Sequence, residues 1–289
     1  MFKGSIVALV TPMQPNGELD IPAFEKLIAW HLEEKTDGIF VTSTTGETPT
    51  LTSAEQQTII TTAVKKVAGR VPVFAGTGTN CTHTTIEYTR RAMEAGVDAC
   101  ILVTPYYNKP TQHGLYEHFH AVAKANPIPI LLYNVPGRTG CDLLPETVAK
   151  LAEISNIIGI KECMGVERAK KLLEYCGDKI NLFSGNDDDA FDTMKLGYKG
   201  VISVTANVAP QLMHEFCAAM LASQWDKGQD IFQLLSGLHR QLFTESNPIP
   251  VKWALQHMGL ISSGIRLPLT PLSEQYQDAV KTALKQAGH

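Results

Sequence analysis

No two cysteines in this 289-residue chain stand in a CxxC pair; Cys81, Cys100, Cys141, Cys163, Cys176 and Cys217 are scattered singly. That spacing offers no zinc knot or disulfide frame and suits reduced thiols, so a cytoplasmic protein is expected. No run of lysine and arginine is long enough to form a basic stripe, and the net charge is −4, which gives nucleic acid and anionic membranes no electrostatic grip. A small molecule is the expected partner. No apolar stretch approaches the roughly 20 residues of a membrane helix. The apolar SIVALVTPM after Lys3 is short, is ended by Pro12 and lacks a small-residue cleavage site, so it reads as a first strand, not a signal peptide.

What is present is a 44% hydrophobic chain, ample for a large core, in which short β-rich apolar runs alternate with stretches of helical spacing. Eight runs read as strands: residues 5–11, 38–43, 71–76, 99–105, 128–134, 157–162, 180–185 and 200–206. Helical stretches lie between and after them, at 20–34, 53–67, 82–95, 111–125, 145–152, 166–175, 188–196 and 210–222. Strict alternation implies parallel strands with right-handed crossovers, and eight units are the number that closes a (β/α)8 TIM barrel. An open doubly wound sheet is the rival, but the first turn, Thr11-Pro12-Met13-Gln14-Pro15, is no glycine-rich phosphate turn. The expected organisation is a barrel over residues 1–224 and about three helices packed on it over 225–289, separated by NPIPVK and RLPLTP.

Such a barrel carries its chemistry at the carboxyl ends of its strands. Those ends hold hydroxyls, tyrosines, Arg138 and Lys161, and lack the three or four His and carboxylate ligands of a catalytic metal. No metal or cofactor is expected. His113, His118 and His120 read as helix-surface residues, and Asn186-Asp187-Asp188-Asp189 as a helix N-cap. Lys161 ends the apolar run of residues 157–160, where an ammonium costs several kcal/mol to bury unless it loses its proton. One reading is a charged strand end paired with Glu162 or another acid. The other is an amine whose lowered pKa makes it a nucleophile toward a ketone, forming an imine that serves as an electron sink.

STTGE at 43–47, YNVPGRTG at 133–140 and GIKE at 159–162, in that order, resemble the pyruvate-dependent class I aldolases, the superfamily of N-acetylneuraminate lyase and dihydrodipicolinate synthase. Matching segments run from FKGSIVALVTPM through GVISVTANV at 200–208 to NPIPVKWAL at 247–255, nearly the whole chain. The resemblance is to the synthase branch, because Arg138 stands where neuraminate lyases carry no arginine, and a guanidinium fork suits a carboxylate. It implies a lyase that condenses pyruvate with L-aspartate 4-semialdehyde, in lysine and diaminopimelate biosynthesis, as a homotetramer built from tight dimers. It further implies that Lys161 forms the Schiff base. Tyr133 would move protons, linked to Thr44 and to Tyr107 from a neighbouring subunit. Thr45 would hold the pyruvate carboxylate, Arg138 the semialdehyde carboxylate; the Ile202 carbonyl would line the pocket and Gly185 would leave it room. A relative acting on another aldehyde, and a silent barrel that senses a keto acid, remain alternatives.

Two departures from the family pattern stand out. Ser43 occupies a position usually held by glycine. The feedback site of lysine-sensitive synthases, built from a small residue, two histidines, an asparagine, a glutamate and a tyrosine, corresponds here to Pro49, Ser53, Gln56, Asn80, Thr84 and Tyr106. Only the asparagine and the tyrosine remain, so weak or absent inhibition by lysine is expected.

Overall fold

The computed structural model describes residues 2–289. Eight parallel strands, β1 (Gly4–Ala8), β2 (Gly38–Val41), β3 (Val73–Gly76), β4 (Ala99–Val103), β5 (Ile130–Asn134), β6 (Ile157–Glu162), β7 (Asn181–Ser184) and β8 (Gly200–Ser203), hydrogen-bond in chain order. The ring closes where β1 pairs with β8, Ile6 opposite Ile202. The expected (β/α)8 barrel is what the chain forms; seven predicted runs contain their strand whole, and the first, 5–11, overlaps β1 but starts one residue after it. Most of the predicted runs are longer than the strands, because the residues after a strand, such as Thr42 and Thr104, keep β-like chemistry but turn into loops.

The period of two along each strand creates two cores. Ile6, Ala8, Phe40, Phe74, Ile101, Leu131, Phe183 and Ile202 point inward and fill the barrel. Val7, Ile39, Val41, Leu132 and Ile160 point outward, toward the helices.

The helices are α1 (Ile21–Glu33), α2 (Ser53–Val67), α3 (Thr82–Glu94), α4 (Gln112–Ala125), α5 (Pro136–Thr139), α6 (Pro145–Leu151), α7 (Val166–Cys176), α8 (Ala190–Leu196), α9 (Pro210–Leu221), α10 (Trp225–Gln241), α11 (Ile249–His257) and α12 (Glu274–Gln286). Local chemistry sets the starts of several. Asp20 accepts the Ala23 N–H, and Thr52 with Glu55 forms a reciprocal capping box at α2. The single turn α5, made by PGRT, carried no periodic signal and was not predicted.

Two local expectations are corrected. His118 is not on the surface: it lies against Thr82, with Nδ1 2.9 Å from the threonine hydroxyl, and burial lowers its pKa to about 4. Asp189 stands at the N-cap position of α8 without capping it, because its carboxylate accepts from Ser184 Oγ and Asn186 Nδ2 instead. Among the described residues no helix is long and apolar enough to cross a membrane.

Candidate active site

Ile160 faces the outer core, so the next residue along β6 must face the barrel interior, and Lys161 does. Its side chain is 5% exposed. Tyr133 is its register partner on β5, and Lys161 Nζ lies 4.4 Å from the centre of the Tyr133 ring and 5.9 Å from that of Phe40. The pairing of Lys161 with Glu162 does not occur. Glu162 points to the other face, where its oxygens accept from Asn134 Nδ2 and from the backbone N–H groups of Cys163 and Met164, with Arg168 at 3.8 Å.

Burial lowers the pKa of Lys161, with Cys163 and Asp187 opposing the shift and Arg138 adding to it. The Cys163 thiol is itself pushed up to about 12 by burial, so at neutral pH it carries no charge with which to oppose. Asp187 is then the anion that acts on the amine. It is buried, and one oxygen accepts the N–H groups of Val204 and Thr205 just beyond β8. Tyr133 is 7% exposed; burial raises its pKa, while Arg138 and the Thr44 hydroxyl draw it back.

Gly185 follows β7 directly under the lysine. A Cβ built there would lie 2.9 Å from Lys161 Cε and 3.1 Å from Cγ, and closer still to Cys163 Sγ. Only glycine leaves that side chain its place. Ile202 is fully buried on β8. Thr45 is 2% exposed and Thr44 half-buried, on a loop held by Ser43 Oγ accepting the Gly46 N–H and Thr11 Oγ1 donating to the Gly46 carbonyl. Ser43 thus caps the turn that carries both threonines.

Arg138, on α5, is exposed and donates from Nη2 to the Asn247 carbonyl at 3.3 Å. Tyr107 is 88% exposed, in a left-handed backbone conformation (φ 75°) fixed by its N–H on the Thr139 carbonyl. Within one chain it therefore lies outside the lysine pocket. Lys161, Tyr133, Thr44, Thr45, Ile202 and Gly185 gather around the barrel mouth, with Arg138 at its rim.

The six positions matching the lysine-effector site lie elsewhere, on the β2–α2, β3–α3 and β4–α4 segments. Ser53 Oγ accepts from Arg91 Nη1 at 2.5 Å, and Gln56 donates to the Leu51 carbonyl. These two share a small cleft with Gln57, Tyr88 and Arg91. Pro49 and Tyr106 are exposed, and Asn80 and Thr84 half-buried.

Three site neighbours had no sequence signal of their own. Asn247 Nδ2 donates to Thr45 Oγ1 at 3.0 Å; Lys252 pairs with Glu47 in a buried contact; Cys163 packs against Lys161. Among the described residues no three His, Cys, Asp or Glu side chains gather as a metal site.

The chain matches the dihydrodipicolinate synthetase family over residues 1–287. It is 55% identical to the 4-hydroxy-tetrahydrodipicolinate synthase of Nitrosococcus oceani, over 99% of this chain and 98% of the relative. The crystal structure of a chloride-inhibited dihydrodipicolinate synthase from Acinetobacter baumannii, complexed with pyruvate, superposes with a TM-score of 0.98 at 50% identity, covering 100% of this chain and 99% of that one. A synthase from Cyanidioschyzon merolae solved with lysine bound superposes at 0.95 with 36% identity, over 99% and 98%.

Proposed function

The chain belongs to the dihydrodipicolinate synthetase family, and we propose that it condenses pyruvate with L-aspartate 4-semialdehyde to 4-hydroxy-tetrahydrodipicolinate, on the route to diaminopimelate and lysine. The observation that carries this reading is the buried Lys161, its pKa lowered, with Tyr133 as its register partner and no carboxylate in contact.

Neutral Lys161 Nζ attacks C2 of pyruvate; the carbinolamine loses water to give the imine. Loss of a C3 proton makes the enamine, whose C3 attacks the aldehyde carbon of the semialdehyde. The semialdehyde amine then attacks C2, closing the six-membered ring and expelling Lys161. Tyr133 carries the protons, with Thr44 behind it. Tyr107 completes this relay from a neighbouring subunit; its exposure and strained backbone suit a side chain held for a partner. Thr45 binds the pyruvate carboxylate, the Ile202 carbonyl lines the same pocket, and Arg138 takes the second substrate's carboxylate. The enzyme works in the cytoplasm as a homotetramer of tight dimers. Its degenerate effector positions, Pro49, Ser53, Gln56, Asn80, Thr84 and Tyr106, leave inhibition by lysine weak or absent.

Borohydride trapping tests the core of this reading. With pyruvate, a stable adduct that peptide mapping assigns to Lys161 is expected, and Lys161→Ala should give none. Folded protein that forms no adduct would remove the mechanism; an adduct with no turnover of aspartate semialdehyde would move the reading to another aldehyde.

A further inference from the structure

The residue that the active-site loop leans on comes from outside the barrel. Asn247 lies between α10 and α11, is 7% exposed, and donates from Nδ2 to Thr45 Oγ1 at 3.0 Å. Its own carbonyl accepts from Arg138 Nη2 at 3.3 Å. One residue thus touches both groups to which the proposed reaction assigns carboxylate binding. One turn into α11, Lys252 pairs with Glu47, two residues beyond Thr45, and Glu47 also accepts the Arg266 N–H. With the loop held there, and with the Gly46 N–H and carbonyl already bonded, the main freedom left to Thr45 is the direction of its hydroxyl hydrogen.

A threonine hydroxyl has one hydrogen and two lone pairs. An amide N–H on one lone pair forbids the hydrogen from pointing back along that line. We propose that Asn247 is a positioning residue that makes Thr45 a hydrogen-bond donor toward the pyruvate carboxylate, an inference that rests on the carboxylate role given to Thr45 above. A hydroxyl free to rotate, or one turned toward an acceptor at 247, binds the anion less well. A donor to a charged group contributes about twice what a neutral pair does, so its direction matters for affinity.

The substitutions Asn247→Ala and Asn247→Asp separate this role from simple packing. The aspartate is nearly isosteric but can only accept, so it draws the Thr45 hydrogen away from pyruvate. The measurement is the pyruvate concentration that half-saturates borohydride-trapped Lys161, by intact mass, on full-length protein whose melting curves are recorded alongside. For Asn247→Ala we expect a rise of a few-fold with kcat at saturating substrates within about twofold, and for Asn247→Asp a rise of roughly ten- to a hundredfold. In a Thr45→Val background the gap between the two should shrink several-fold, because only the part owed to charge repulsion survives the loss of the hydroxyl.

A larger effect from alanine than from aspartate overturns the inference, as does a gap unchanged by Thr45→Val. Should Asn247→Asp not fold, the alanine cycle decides. Asn247→Ala added to Thr45→Val is expected to cost nothing further in pyruvate affinity, and full additivity refutes the role. Absence of any adduct in the unmodified enzyme is a different failure, that of the imine reading itself.

Discussion

Gly185→Ala should disable the lysine without touching its chemistry. The glycine does not need a left-handed backbone, so the cost of a side chain there is contact alone. A methyl carbon would stand 2.9 and 3.1 Å from Lys161 Cε and Cγ, nearer still to Cys163 Sγ, where carbon atoms rest at about 3.5–4.0 Å. Relief by moving Lys161 is blocked on one side by the Tyr133 and Phe40 rings. Overpacking of this kind costs roughly 1–3 kcal/mol, which for a chain of this size lowers Tm by about 2–10 °C. The lysine nitrogen would be displaced by the order of 1 Å, enough for roughly a hundredfold loss in the rate of imine formation. The assay is the time course of borohydride-trapped adduct at saturating pyruvate, with melts at a fixed protein concentration because assembly contributes to Tm. Cys163→Ala removes the nearest obstacle, so the Gly185→Ala/Cys163→Ala pair should recover much of both losses. A single variant with unchanged Tm and imine rate, or a pair no better than the single, would show that Gly185 does not set the lysine's position.

Lys252→Met should cost about 3–5 kcal/mol, since it leaves the Glu47 carboxylate, 1% exposed, with only the Arg266 N–H; urea unfolding reads it, and a loss under about 1 kcal/mol contradicts the argument. Glu162 has its pKa raised by burial from 4.5 to about 7, so the folded state holds its proton more tightly than the unfolded one. That contribution is full below pH 4.5 and is lost as pH rises to 7, up to about 3 kcal/mol, and Glu162→Gln should lose correspondingly less stability across that window in pH-dependent unfolding. Lysine should inhibit weakly if at all, because the cleft of Ser53, Gln56 and Tyr88 offers the ammonium a guanidinium, Arg91, where a carboxylate is needed. Half inhibition below millimolar lysine in a steady-state assay would count against this.

The barrel and the direction of Lys161 were legible because both follow from short-range periodicity. Alternation along residues 157–162 already turns Ile160 and Lys161 to opposite faces, and eight such runs leave few topologies. His118 was legible too and was misread: Leu115, His118, Phe119 and Val122 share one helical face, and all four are buried. The contacts of Asn247 and Lys252 were not legible. They span 202 and 205 residues, join polar groups with no local pattern, and arise only once the barrel has closed and α11 packs beside the β2 loop. NPIPVK, read as a separator, turns out to hold a residue that touches the site.

The same geometry explains how a buried pocket lowers the pKa of the one amine proposed to react with pyruvate. Cys163 and Tyr133 are both pushed toward their neutral forms by burial, and Glu162 is turned to the outer face. Asp187 is left as the anion influencing Lys161, and one of its oxygens is engaged by two backbone N–H groups. With so little negative charge facing it, the amine has no strong partner to hold its proton, and Arg138 at the rim disfavours the ammonium further. The arginine proposed to receive the second carboxylate thereby also helps to keep the Lys161 amine neutral. Replacing Arg138 should accordingly raise the pH at which imine formation is half-maximal, a shift that loss of carboxylate binding alone would not produce.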